Sequence, residues 1–267
     1  MTTYLAIFRI RFINSLQYRI AALAGLATQF AWGFMEITAF AAFYRVNPEA
    51  FPMTFPQTAS YIWLQQSMIF IFFINLNDND IISGISDGAI AYEMVRPMDI
   101  YTRWICQIAA TRIAAASLRA FPVIAVAFML PYPIGLSLPL NLFQFTFFIV
   151  SLLLALAVVV AFTSFIYVSL FYTMSIQGMR IMVFGFVSFL SGAIIPIPFF
   201  PEGLRAVVEL LPFAAMSNMP LRVYSGHIAG AEMFQGIALQ IFWLLFLLIL
   251  GRIMMNNALK RLVVQGG

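Results

Sequence analysis

Asn77–Pro97, N-D-N-D-I-I-S-G-I-S-D-G-A-I-A-Y-E-M-V-R-P, is a polar interruption between long apolar runs, and the rest of the chain is read outward from it. It holds Asp78, Asp80, Asp87 and Glu93, four of the ten acidic residues. Charge at that density is too costly to place in hydrocarbon, so the stretch lies in water or against a soluble partner. Asp80 is expected to cap a short helix carrying Ile81, Ile82 and Ile85, which Asp87-Gly88 stops. Ala89–Val95 then alternates Ile90, Tyr92 and Met94 with Ala91 and Glu93, the pattern of an extended piece ended by Arg96-Pro97. Apolar teeth with acidic flanks suit the docking of a soluble partner, and a plain solvated connection between two membrane helices carries the same charges.

The flanking composition defines the class. Of 267 residues, 63% are hydrophobic and only 9% charged, and the mean hydropathy is +0.96. Soluble domains carry roughly 25% charge, so this is an all-α polytopic membrane protein. At roughly 20 apolar residues per crossing, about six helices fit, with no room for a soluble catalytic domain. The net charge of +4 does not point to nucleic acid, because the basic residues stand at the ends of apolar runs instead of in a patch. Cys106 and His227 are each single, so one chain assembles no disulfide, zinc site or Cys/His pair. The first apolar run, Ile20–Tyr44, exceeds a signal-peptide core and is expected to be retained.

In chain order, Leu5, Phe8, Phe12 and Leu16 repeat at helical spacing opposite Arg11, Asn14 and Gln17, so residues 1–19 are expected to form a helix lying in the membrane interface. Ile20–Tyr44, Tyr61–Leu76, Tyr101–Leu130, Leu142–Tyr172, a run from Ile181 and Met233–Leu250 supply the spans. The third is expected to enter the membrane near Ile113 and to kink at Pro122. Gly192, Pro196, Pro198 and Pro201 break the fifth run, which predicts an exterior re-entrant hairpin over 191–222, with a short helix starting at Pro201 and ending before Pro212. Arg9, Arg11, Arg19, Arg96, Arg103, Arg112, Arg180, Arg252, Lys260 and Arg261 fall on the N-terminal side, against Arg45, Arg205 and Arg222 on the other. That asymmetry places both termini in the cytoplasm.

This arrangement resembles the permease subunits of ABC-2-type exporters, of the small six-helix type, over nearly the whole chain as a single domain, 1–267. Gly88–Pro97, G-A-I-A-Y-E-M-V-R-P, is similar to the end of that family's coupling segment, although Met94 stands where many relatives have leucine. Ser191–Pro201, S-G-A-I-I-P-I-P-F-F-P, is similar to its hairpin, and the C-terminal A-L-K-R-L-V-V-Q-G-G looks like a branch of small permeases encoded in pairs beside one ATPase. The resemblance implies that residues 77–100 dock on a nucleotide-binding ATPase subunit through Asp80, Ile85, Tyr92, Glu93, Arg96 and Pro97. It further implies a plasma (inner) membrane location and a second permease chain, a homodimer or related heterodimer, sharing the translocation path. ATP and magnesium would then sit on the ATPase, with no cofactor or metal in this chain.

The residues agree with an absent nucleotide site. No G-x-x-x-x-G-K-[ST] loop occurs, and Lys260 is the only lysine. Glu36 and Arg119 are the charges placed within spans, where such groups face a bundle interior or a cavity. They fit a translocation path, and fit better hydrogen bonding to neighbouring helices for packing. An ion-coupled carrier or a membrane-embedded enzyme would use them as its site.

Overall fold

The computed structural model describes residues 2–17, 19–74, 76–173 and 175–261; residues 262–267 of the C-terminal stretch and the side chains of Thr2, Arg19, Ala21, Ala22 and Leu23 lie outside that description. The described chain is helical, with no strand. Its elements are α1 (Thr2–Leu16), α2 (Arg19–Val46), α3 (Phe55–Ser67), α4 (Ile69–Phe72), α5 (Asn79–Ser86), α6 (Ile90–Met94), α7 (Ile100–Met129), α8 (Leu142–Thr173), α9 (Ile176–Leu190), α10 (Glu202–Leu210), α11 (Pro212–Met216), α12 (Asn218–Tyr224) and α13 (Gly230–Lys260). Among them α7, α8 and α13, of 30, 32 and 31 residues, are long and apolar enough to cross a membrane. α2 has 28 residues, about 42 Å at 1.5 Å per residue. α7 is one helix that runs on through Pro122.

α8 is the central column. α4, α7, α11, α12 and α13 pack on it. Its Ala155, Val158, Val159, Ala161 and Val168 are fully buried. In lipid such contacts are held by close packing and internal hydrogen bonds, because the surrounding solvent is as apolar as the side chains. Accordingly Ser151 and Gln240 of α13 bond at 2.9 Å, and the same glutamine amide reaches the Ala215 carbonyl at 2.9 Å. At Gly33 a Cβ would lie 2.9 Å from the Trp63 ring, so α2 and α3 meet at a distance that glycine permits.

Three departures from the sequence reading have local causes. Tyr61–Leu76 is not one helix: α3 ends at Ser67, α4 at Phe72. Ala89–Val95 is not extended either, since residues 90–94 form α6. Over five residues, alternation and a single helical turn offer nearly the same apolar pattern. Finally, α5 is capped by Asp78 and not by Asp80; the Asp78 carboxylate accepts from the amides of Asp80 at 3.2 Å and Ile81 at 3.4 Å.

The connections gather at two poles. One holds 74–100 with Arg11, Arg180 and Arg252. The other holds 47–58, 131–144 and 191–229, tied by contacts such as His227 to the Pro52 carbonyl and Gln144 to the Val223 carbonyl. There the fifth apolar run stops at Leu190, Gly192 turns the chain at φ +79°, and Pro196 precedes a 3-10 turn. α10 follows Pro201, and Pro212 opens α11. The apolar face expected for α10 is only partly used: Val208 is buried, whereas Leu204 and Val207 are exposed.

Candidate functional site

The polar segment is fastened to the bundle by its acids. Asp80 pairs with Arg11 of α1, Glu93 with Arg103 of α7, and Asp99 with Arg252 of α13. The Asp78 amide donates to the Tyr167 hydroxyl of α8 at 3.0 Å, and Arg180 of α9 donates to the Leu76 carbonyl at 2.9 Å. Five helices therefore hold a stretch that composition alone leaves as a loop. Asp99 also caps α7, accepting from the Thr102 amide at 2.8 Å, and its own amide donates to the Tyr4 hydroxyl at 3.0 Å. Burial works against the Asp99 carboxylate, yet its hydrogen bonds from Arg252 and Thr102 outweigh that and hold its pKa below the ordinary value.

Inward and outward faces of the segment differ. Ile81 and Ile90 are fully buried, with Ile82 and Ile85 packed against the same core. Tyr92 is 79% exposed and Val95 83%, with Met94, Arg96 and Pro97 beside them. Five neighbouring residues that present a phenol ring, three apolar side chains and a guanidinium, on a support fixed by ion pairs, make a compact docking face. Of the residues singled out by sequence, Tyr92, Arg96 and Pro97 lie on this face. Ile85 points inward, and Asp80 and Glu93 are braces within the chain.

Arg112 was placed by sequence among the charges facing the N-terminal side, and the fold buries it instead. Its guanidinium donates to the carbonyls of Phe73 at 2.6 Å, Phe70 at 3.3 Å and Ile71 at 3.4 Å, and to the Thr163 hydroxyl at 3.0 Å. The last carbonyls of a helix have no intrahelical partner, and lipid supplies none. Arg112 supplies them, which is how the second apolar run can break at membrane depth.

Glu36 and Arg119 do not meet. Glu36 of α2 lies beside the Gln66 side chain of α3. Arg119 of α7 lies 3.9 Å over the Phe70 ring and alongside Gly25. Gly25 and Glu36 are eleven residues apart on one helix, roughly 16 Å of rise. Gly192, Pro196, Pro201 and Pro212 all lie at the pole opposite the docking face, near a second polar group in which Arg222 pairs with Glu209 and donates to His227 at 3.0 Å.

A helical bundle of this hydropathy, with a braced polar face at one pole, is an integral membrane protein. The family described as ABC-2 family transporter protein matches residues 30–266, and the chain belongs to it. It is a transmembrane permease of an ABC transporter, not itself the ATPase, in a family whose permeases associate with an ATPase subunit. No curated protein matches the chain.

Proposed function

We propose that the chain is the permease of an ATP-driven exporter and that residues 77–100 are its coupling segment. The observation that carries this reading is the bracing: three ion pairs and a further hydrogen bond join the segment to α1, α7, α8 and α13, and Arg180 of α9 holds Leu76 immediately before it. A partner closing around Tyr92, Val95 and Arg96 would move those helices as a body, the form in which ATP-driven closure is passed to a membrane domain. In this reading ATP and magnesium are bound by the partner. A second permease chain completes the path, the membrane is the plasma membrane, and both termini are cytoplasmic. The six crossings are α2, α3 with α4, α7, α8, α9 and α13, while residues 1–19 lie in the interface and 191–222 fold back at the exterior.

An ion-coupled carrier or membrane enzyme built on Glu36 and Arg119 loses its support, because those groups engage separate partners. The deciding experiment is copurification with the candidate ATPase followed by hydrolysis measured in lipid. Complex formation and substrate-stimulated hydrolysis are expected for the wild type and are lost in Tyr92→Ala with Arg96→Glu. Persistence of both in that variant would return the segment to an ordinary solvated connection.

A further inference from the structure

Beside the braced segment lies a cavity of about 460 Å³ whose walls include Arg11, Asp78, Asp80, Arg112, Thr163 and Tyr167. Two of its four charges cancel, since Arg11 and Asp80 form an ion pair. The other two form no ion pair among the described residues. Arg112 bonds only to three carbonyls and a hydroxyl, is in no ion pair among the described residues, and keeps a buried Nε–H without a partner. Asp78 accepts two backbone amides and faces no paired cation. Tyr167 accepts from the Asp78 amide and so has its own O–H left to donate.

A simple anion would meet the Asp78 carboxylate, and a simple cation would meet Arg112. A zwitterion satisfies both. We propose that this cavity binds the phosphoethanolamine headgroup of a membrane phospholipid, with the phosphate towards Arg112 and the Tyr167 hydroxyl and the ammonium towards Asp78. Charge-assisted bonds at both ends are the stronger class of hydrogen bond, and a guanidinium suits phosphate oxygens. The lipid, and not a soluble phosphoethanolamine, is the source because α1, which walls the cavity through Arg11 and Ser15, is the helix proposed to lie in the membrane interface, at the level of the lipid headgroups.

The full-length chain in detergent, titrated by native mass spectrometry with dioleoylphosphatidylethanolamine, dioleoylphosphatidylglycerol and free O-phosphoethanolamine, tests this. The wild type is expected to retain the ethanolamine lipid about tenfold more tightly than the glycerol lipid, the ratio that one charge-assisted contact supplies. Ala115→Phe fills the cavity while leaving the Arg112 bonds in place, and removes that preference. Asp78→Asn keeps a good helix cap but loses the carboxylate, so the two lipids bind with equal strength. Tyr92→Ala, outside the cavity, retains the lipid even though it is expected to lose ATPase coupling, which separates this inference from the exporter reading. Equal binding of both lipids by the wild type, or a preference unchanged in Ala115→Phe, overturns the site. Displacement of the lipid by an equal concentration of free O-phosphoethanolamine overturns the lipid as its source, and resistance to displacement supports it.

Discussion

At His227 the protonation state is dictated by its neighbours. The Arg222 Nε can only donate, so Nδ1 accepts at 3.0 Å, and the ring proton sits on Nε2, which donates to the Pro52 carbonyl at 3.0 Å. Burial, then the Arg222 charge, depress the pKa below the ordinary 6.5, with the Pro52 carbonyl and Glu232 opposing more weakly. A depressed folded pKa means that the unfolded chain binds the proton first as pH falls, so this contribution is complete above about 6.5 and is lost on descent through the folded value. The thermal midpoint in detergent is therefore expected to drop between pH 8 and 5, and to drop less in His227→Asn, where nothing titrates. An equal drop in both proteins would assign the pH dependence elsewhere. Arg112→Met poses a different question, because it removes a buried cation and also strips the Phe70, Ile71 and Phe73 carbonyls of their donor. Orphaned buried acceptors cost about 1 to 3 kcal/mol each, and relief of the arginine's burial returns part of that, so a net loss of roughly 2 to 4 kcal/mol is expected. Thermal unfolding of Arg112→Met beside wild type measures it, and an unchanged midpoint would remove Arg112 as the donor that permits the break.

α1 shows how an element can be legible while its orientation is not. Helical spacing finds Thr2–Leu16, yet the stripe expected to face lipid, Leu5, Phe8, Phe12 and Leu16, is split: Phe8, Phe12 and Leu16 are half-buried, and Leu5, Ile10 and Ile13 are exposed. Arg11, assigned to the polar side, turns inward to Asp80. With isoleucines at 7, 10 and 13, more than one apolar stripe exists, and α7, which packs along this helix, selects among them. Single cysteines at Leu5, Ile10 and Ile13 are expected to meet a lipid-borne quencher, with Arg9 and Asn14 open to a water-soluble maleimide and Phe8 protected from both. Uniform labelling would describe a free tail. The helix break after Leu190 was legible for the opposite reason, since its cause is local: Gly192 adopts φ +79°, and a Cβ there would stand 3.1 Å from the Ile197 amide nitrogen. The break at Met68 left no trace in sequence because Ile69–Phe72 is as apolar as any span, and its cause, Arg112, lies about forty residues away. Gly192→Ala is expected to destabilise by about 1 to 2 kcal/mol from the left-handed backbone alone, read as a lowered thermal midpoint, whereas Gly84→Ala, in open space inside α5, is expected to raise it, stabilising by up to about 1 kcal/mol.

For the whole molecule, two of the three bracing ion pairs join residues far apart in sequence, which is why composition located the polar segment but not its bracing. Arg11 and Asp80 are 69 residues apart, and Asp99 and Arg252 are 153 apart. The bracing divides the segment's charges into two kinds with different mutational behaviour. Glu93 is spent inside the chain on Arg103, with side chains only 25% and 12% exposed. Arg96 is exposed and forms no ion pair among the described residues. Reversing Glu93 to Lys sets two cations together and is expected to loosen α6 from α7, weakening coupling through geometry; reversing Arg103 to Glu in the same protein restores an opposite-charge pair and with it substrate-stimulated hydrolysis. Reversing Arg96 to Glu acts directly at the docking face, so no substitution at Arg103 repairs it. A desolvated interface charge typically carries roughly 2 to 5 kcal/mol, against about 1 kcal/mol or less for an exposed one, so loss at Arg96 amounts to a decrease of thirtyfold or more in affinity for the ATPase. The measurement is a titration of the reconstituted permease with that ATPase, with thermal midpoints taken in parallel to show that the bundle remains folded. Rescue of Arg96→Glu by Arg103→Glu, or failure of that change to rescue Glu93→Lys, would reverse the assignment of brace and docking charge.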